Sequence, residues 1–303
     1  MAPRAGGIPS GVRIWLMAAR PRTLPAAASP VLVGTSLALG AGHFRALAFV
    51  AALLGAVFIQ VGTNLSNDYS DARRGADTEE RLGPVRVTAG GLVPPRQVLI
   101  ATYATFGLAV LVGAYLIAVA GWQLLIIGVA SILAGVLYTG GPRPYGYEGL
   151  GEVFVFIFFG IVAVVGSSYV QLEHYHGTAF ALAVPVGLLA TAILVVNNVR
   201  DIDTDRRAGK RTLAVRLGRR GARTLYASCV NVPYACVLLI ALFSHGLTLW
   251  LLLTWLTIPL AVRLVRTVDR HTDGPTLNRV LAGTGQLQLA FCVLLSAGLL
   301  LSR

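Results

Sequence analysis

Apolar runs of about 18 residues or more recur along almost the whole chain, and that leaves few folds open to it. Nine can be marked: 23–42, 46–66, 97–120, 122–139, 151–171, 178–199, 223–244, 247–266 and 280–301. In hydrocarbon each backbone N–H and C=O must be paired within its own segment, so runs of this kind form helices. Little sequence is left over for a separate soluble unit. The expectation is an all-α integral membrane protein, with about nine transmembrane helices in a single bundle around a central cavity open to the cytoplasmic boundary. Residues 23–303 form that domain, and 1–22 form a basic cytoplasmic N-terminal segment. The segment does not read as a cleavable signal, because it runs straight into a first helix whose opening turns lie between Pro21 and Pro30.

The formal net charge of +12 would suggest nucleic acid in a soluble chain. Here 55% of residues are hydrophobic and 13% charged, so position matters more than the total. With the N-terminus in the cytoplasm and nine crossings, 23 of the 25 Lys and Arg fall on the cytoplasmic side, leaving only Arg45 and Arg303 outside. That is the positive-inside pattern of a multi-pass cell-membrane protein. It accounts for the basic balance with membrane lipids as partner and no nucleic acid. Cys229, Cys236 and Cys292 all lie within apolar runs and lack zinc spacing. The five histidines are scattered.

Two acidic clusters interrupt this apolar background, Asn64-Leu65-Ser66-Asn67-Asp68-Tyr69-Ser70-Asp71 and Asn197-Asn198-Val199-Arg200-Asp201-Ile202-Asp203-Thr204-Asp205. Carboxylates at a membrane boundary are costly and are read first as a functional site. On a helix, Asn64, Asn67, Asp68 and Asp71 share an arc of about 100°, and Asn197, Asp201 and Asp205 share about 80°. Both clusters end even-numbered crossings, so both reach the same boundary. Hard oxygen donors of this kind suit Mg²⁺, which is usually held by one or two carboxylates together with substrate phosphates. The spacing Asn-x₃-Asp recurs at Asn67/Asp71 and Asn197/Asp201, each followed by paired arginines and glycine, consistent with two related halves. Helix capping and arginine pairing explain one such cluster readily, but not two with the same spacing on one face.

Glycine, hydroxyl and basic residues follow each cluster, at Gly75–Gly91 and Gly209–Gly218, a composition suited to phosphate oxygens but without Walker A spacing. A third polar segment, Tyr138-Thr139-Gly140-Gly141-Pro142-Arg143-Pro144-Tyr145-Gly146-Tyr147, reads equally as a tight turn with interfacial tyrosines or as aromatic rings facing an aromatic substrate or a carbocation. The opening Arg20-Pro21-Arg22-Thr23-Leu24-Pro25 adds two arginines at the same boundary. A cation carrier built on intramembrane acids is the reading from another class. It fits poorly, because carrier sites lie near the midplane and basic loops repel cations.

At these residues the chain resembles the UbiA superfamily of intramembrane aromatic prenyltransferases. The resemblance runs through Arg20–Pro25, Asn67-Asp68-x₂-Asp71, Asp77-Thr78-x₂-Arg81-x₄-Arg86, Tyr138–Pro142, Gly149-Leu150-Gly151-Glu152 and Asn197-Asn198-x-Arg200-Asp201-x₃-Asp205, the last leading into Gly209-Lys210-Arg211-Thr212. The Tyr-Thr-Gly-Gly-Pro and Asn-Asn-x-Arg-Asp segments are similar to the naphthoate branch. That resemblance implies transfer of a polyprenyl group from polyprenyl diphosphate to 1,4-dihydroxy-2-naphthoate with loss of CO₂, giving a demethylated menaquinol. It also leaves 4-hydroxybenzoate and homogentisate as alternative acceptors. It implies Mg²⁺ held by Asp68, Asp71, Asp201 and Asp205 as the catalytic acids, with Asn67 and Asn197 beside them. Arg81, Arg86, Lys210 and Arg211 would bind the diphosphate, and Arg22, Tyr138 and Arg143 the aromatic acceptor. The family pattern Asn-Asp-x₂-Asp-x₃-Asp has Gly75 at its last position here and the next acid at Asp77, which leaves Asp77 open between metal ligand, supporting group and loop anchor.

Overall fold

A computed structural model describes residues 11–76, 82–244 and 248–302, and all regular structure among them is helical. Helix α1 (Gly11–Ala19) is short, with Val12, Trp15 and Leu16 exposed. Arg20 then turns left-handed (φ 53°), and one 3₁₀ turn at Pro21–Thr23 sends the chain into α2 (Leu24–Gly40). The remaining helices are α3 (Ala46–Arg73), α4 (Pro95–Ala120), α5 (Gln123–Leu137), α6 (Gly151–Leu172), α7 (Gly177–Arg207), α8 (Leu213–Phe243), α9 (Leu249–Arg270) and α10 (Gly274–Leu301).

Among the described residues, eight spans are long and apolar enough to cross a bilayer, the first formed by α1 and α2 together. The fourth expected crossing, α5, has only 15 residues, about 23 Å of helix against a hydrocarbon core of about 30 Å. Helix α7 is central, with 72% of its apolar window buried, against 22% for α3 and α4. The exposed faces of the outer helices carry large apolar side chains such as Tyr103, Leu111, Ile126 and Leu239, as a lipid-facing surface requires.

Small residues set the closest helix approaches, since lipid gives helices no hydrophobic reason to associate. At the α6–α7 crossing a Cβ on Gly160 would lie 2.8 Å from the Ala183 carbonyl oxygen and 2.8 Å from the Gly187 Cα. Just there α6 widens into a π-helical stretch, Phe156–Val162. Helices α3 and α7 both outrun their apolar segments, ending at Arg73 and Arg207 instead of near 66 and 199. Tertiary hydrogen bonds to their polar ends, described below, repay the extension. Helix α8 also starts earlier than its apolar run and breaks at Gly218 (φ 68°, ψ 173°). The first nine residues of α9, Leu249–Thr257, are 3₁₀ helix.

Candidate functional site

The ends of α3 and α7 meet at one mouth of a cavity of about 460 Å³. Asn64, Asn67 and Asp71 enter from α3, and Asn197, Asn198, Asp201, Thr204 and Asp205 from α7. Arg20, Arg86 and Lys210 supply cations, and Tyr138, Thr139, Tyr145 and Tyr147 line the wall from the loop after α5. Beyond this polar end the cavity continues between α3, α4, α5 and α6 past Gly55, Ile59, Gly113, Leu116, Gly128 and Val162. One end is therefore built for charge and the other for hydrocarbon.

Each acid has a defined set of partners. Asp71 is buried; its Oδ1 accepts from the Tyr147 hydroxyl at 2.5 Å and its Oδ2 from Arg86 at 3.2 Å. Asn67 Oδ1 accepts from Thr139 Oγ1 at 2.9 Å. Asp205 lies 3.6 Å from Lys210 Nζ, which sits 4.7 Å from the centre of the Tyr147 ring. Asp201 is held in a fork by Arg200, at 2.8 Å from Nε and 2.5 Å from an Nη. The same guanidinium donates to Asn197 at 2.8 Å and to Asn278 of α10 at 2.6 Å. Asn278 in turn donates to the Leu82 carbonyl at 2.9 Å, tying α10 to the loop after α3.

Asp68 departs from the grouping that the helical arc suggests. It does not line the cavity. Its oxygens accept the backbone N–H groups of Thr88 (2.9 Å) and Val87 (3.1 Å), which pins the loop carrying Arg86. The reason is rotation: Gln60, Asn64, Asn67 and Asp71 span about 60° of α3, and Asp68 lies about 40° beyond Asn64. The acceptor-side residues divide as well. Tyr138 lines the cavity, whereas Arg22 and Arg143 are exposed outside it. The left-handed turn at Arg20 makes Arg20, not Arg22, the cavity arginine of the opening segment. Arg211 is exposed and reaches the site only through its backbone N–H, which donates to the Tyr147 carbonyl at 2.8 Å. Asp77 and Arg81 lie outside the described residues.

An aromatic stack backs the wall beside Tyr138. Its ring meets Tyr145 edge-on at 5.4 Å, Tyr145 stacks on Phe154 at 4.0 Å, and Phe154 lies 6.2 Å from Phe158. Burial raises the Tyr145 phenol above its ordinary range, so it stays a neutral donor to the Ala134 carbonyl. Glu152, buried at the start of α6, accepts from Asn198 Nδ2 at 2.9 Å and fixes that amide at the cavity edge. Sequence reasoning gave no role to Arg200, Asn278 or Glu152. For Arg200 and Glu152 the available signal was a charge within an apolar helix; for Asn278 there was none.

The oxygens of Asn67, Asp71, Asn197, Asp201 and Asp205 line one end of one cavity, a donor set that fits a hard divalent cation. No three His, Cys, Asp or Glu side chains converge as a metal cage among the described residues. Mg²⁺ bound with substrate phosphates and water needs no such cage.

Over residues 27–282 the chain matches the UbiA prenyltransferase family. It belongs to that family. It is 41% identical over 301 residues to a 1,4-dihydroxy-2-naphthoate octaprenyltransferase of Escherichia coli (strain K12), covering 97% of both chains. It is 40% identical to the enzyme of the same name from Mycobacterium tuberculosis, covering 94% of this chain and 96% of that one. Among solved structures, a UbiA homolog from Archaeoglobus fulgidus bound to GPP and Mg²⁺ superimposes with a TM-score of 0.69 at 15% identity, covering 95% of this chain and 99% of that one. The fold is thus that of the UbiA family, a multi-pass helical membrane protein.

Proposed function

We propose that this chain transfers a polyprenyl group from polyprenyl diphosphate to 1,4-dihydroxy-2-naphthoate, releasing diphosphate and CO₂ and giving a demethylated menaquinol. The observation that carries the reading is the 40–41% identity, over nearly the full length, to 1,4-dihydroxy-2-naphthoate octaprenyltransferases. The two-ended cavity suits a substrate with a charged head and an isoprenoid tail. In this reading residues 23–303 form the catalytic domain in the cell membrane. The N-terminal segment and the polar cavity end then face the cytoplasm, an orientation that the excess of Lys and Arg on that side supports.

Asn67, Asp71, Asn197, Asp201 and Asp205 would hold Mg²⁺. Once bound, the ion supplies charge neutralisation that makes diphosphate a better leaving group. Arg86 and Lys210 exchange their carboxylate partners for phosphate oxygens, and Arg20 closes the same side of the cavity. Asp68 acts through the loop it pins, keeping Arg86 at the mouth. The C–O bond to diphosphate breaks with its electron pair on oxygen. The clustered rings of Tyr138, Tyr145 and Phe154 shelter the allylic cation-like carbon from water. The ring carbon bearing the carboxylate forms the new C–C bond. Loss of CO₂ then returns its electron pair to the ring, so aromaticity is restored without a ring proton having to leave.

The test is turnover of purified protein in nanodiscs with a polyprenyl diphosphate, Mg²⁺ and 1,4-dihydroxy-2-naphthoate, run beside 4-hydroxybenzoate and homogentisate. Prenylated naphthoquinol with CO₂, lost on chelation with EDTA and restored by Mg²⁺, is the expected result. Product from another acceptor alone would overturn the acceptor and keep the chemistry.

A further inference from the structure

The C-terminal, arginine-bearing end of α9 carries a second concave site, well separated in sequence from the cavity described above. Arg263, Arg266 and Arg270 are spaced i, i+3, i+7, which places them within about 60° of one helix face. All three are exposed, and no carboxylate lies within ion-pair distance of any of them among the described residues; at the rim, Asp273 lies 3.5 Å from His271 Nδ1. Together with Pro259, Val262, Thr267 and His271 they line a depression of about 300 Å³. Its rim is fixed from α8, where Arg223 donates to the His271 carbonyl at 2.8 Å. The positive-inside rule accounts for arginines at this boundary but not for three on one face around a hollow that Pro259 and Val262 also line.

The chemistry changes along that face as a bilayer changes with depth. Leu256, one turn before Pro259, is 69% exposed, and Trp255 beside it is 40% exposed. Pro259 and Val262 follow, and then the arginines. Hydrocarbon contact thus passes into a cluster of guanidinium groups over about two to three helical turns, matching the order acyl chain, glycerol, phosphate. We propose that this face is a binding site for one anionic phospholipid, its phosphate held by Arg263, Arg266 and Arg270 and its acyl chain lying along Leu256 and Pro259. A soluble phosphate would satisfy the arginines but would leave the apolar half of the site uncovered.

The experiment is lipid binding to delipidated full-length protein in detergent, read by native mass spectrometry with dioleoylphosphatidylglycerol and dioleoylphosphatidylcholine as probes. Wild-type protein is expected to retain one phosphatidylglycerol in preference to phosphatidylcholine. Substituting R263Q/R266Q/R270Q should weaken that preference about tenfold or more, given what each basic residue adds near an anionic surface. The control R13Q/R96Q/R143Q removes the same charge from exposed positions elsewhere and should leave the preference intact. Prenyl transfer in detergent by the α9 variant shows that it is folded, since none of its three arginines lines the cavity. Equal loss in both variants would reduce the effect to general attraction and overturn the site. Displacement of the lipid by excess inorganic phosphate would reassign it to a soluble anion.

Discussion

Arg200 and Asp201 are neighbours in sequence, and their side chains fold together into a two-point ion pair, at 2.8 and 2.5 Å, at the mouth of the cavity. The guanidinium is almost wholly buried, so its bonds to Asn197 and Asn278 are part of what makes it tolerable there. Removing the cation leaves Asp201 and two amides without their partner. Arg200→Gln should destabilise the protein by about 3–5 kcal/mol, in the range for breaking a buried pair. Arg200→Lys keeps the charge but loses the fork, and should fall between the two. Thermal unfolding in detergent, with turnover measured on the surviving fold, checks both. Equal stability of wild type and Arg200→Gln would refute the assignment.

The Gly160–Gly187 crossing gives a second prediction. A side chain on Gly160 has no room against the Ala183 carbonyl and the Gly187 backbone. Gly160→Val should push α6 from α7 and lower stability by about 1–3 kcal/mol, the usual cost of overpacking. Gly166, whose Cβ would meet nothing within 4 Å, is the matched site where the same change should cost little. The difference in unfolding temperature between the two variants is the measurement.

Much of this architecture was readable because the bilayer imposes it. Apolar run lengths mark the crossings, and charge counts on the loops bring both acidic clusters to one boundary. What stayed hidden depends on rotation and on distant partners. A helical arc of about 100° cannot separate Asp71, which lines the cavity, from Asp68, which holds the loop. Nor does the sequence tell Arg20 from Arg22, because a left-handed residue sets which of the two faces inward. Arg200 meets Asn278 across 78 residues, and no local pattern announces that contact. Composition likewise could not foretell that α5 is short or that α9 begins as 3₁₀ helix, since both depend on how neighbouring helices pack.

The start of α10 yields a pH prediction. Asp273 Oδ1 accepts the Thr276 backbone N–H at 2.9 Å, and that bond, first among its contacts, holds the carboxyl below its ordinary range. A carboxylate with a depressed folded-state pKa adds stability above its unfolded pKa, and that contribution disappears as pH falls through the folded value. Asp273→Ala should therefore unfold at a lower temperature than wild type near neutral pH, with the gap closing in acid below about pH 4. Asp273→Asn keeps a capping oxygen without the charge, so its stability should lack that pH dependence. Unfolding temperature against pH for the three proteins decides it.

Asp68 and Asp71 make the sharpest comparison, because they sit three residues apart on α3 and act differently. Asp68 accepts from the backbone of Val87 and Thr88, so its loss frees the loop that carries Arg86. Asp71 faces the cavity and is held by Tyr147 and Arg86 side chains, so its loss removes a proposed metal ligand while leaving those two backbone bonds in place. Turnover should collapse in both Asp68→Asn and Asp71→Asn. Hydrogen exchange should separate them: the amides of Val87 and Thr88 lose protection in Asp68→Asn and keep it in Asp71→Asn. Unchanged protection in Asp68→Asn would mean that the loop is anchored elsewhere, and would return Asp68 to direct metal binding as the cause of lost activity.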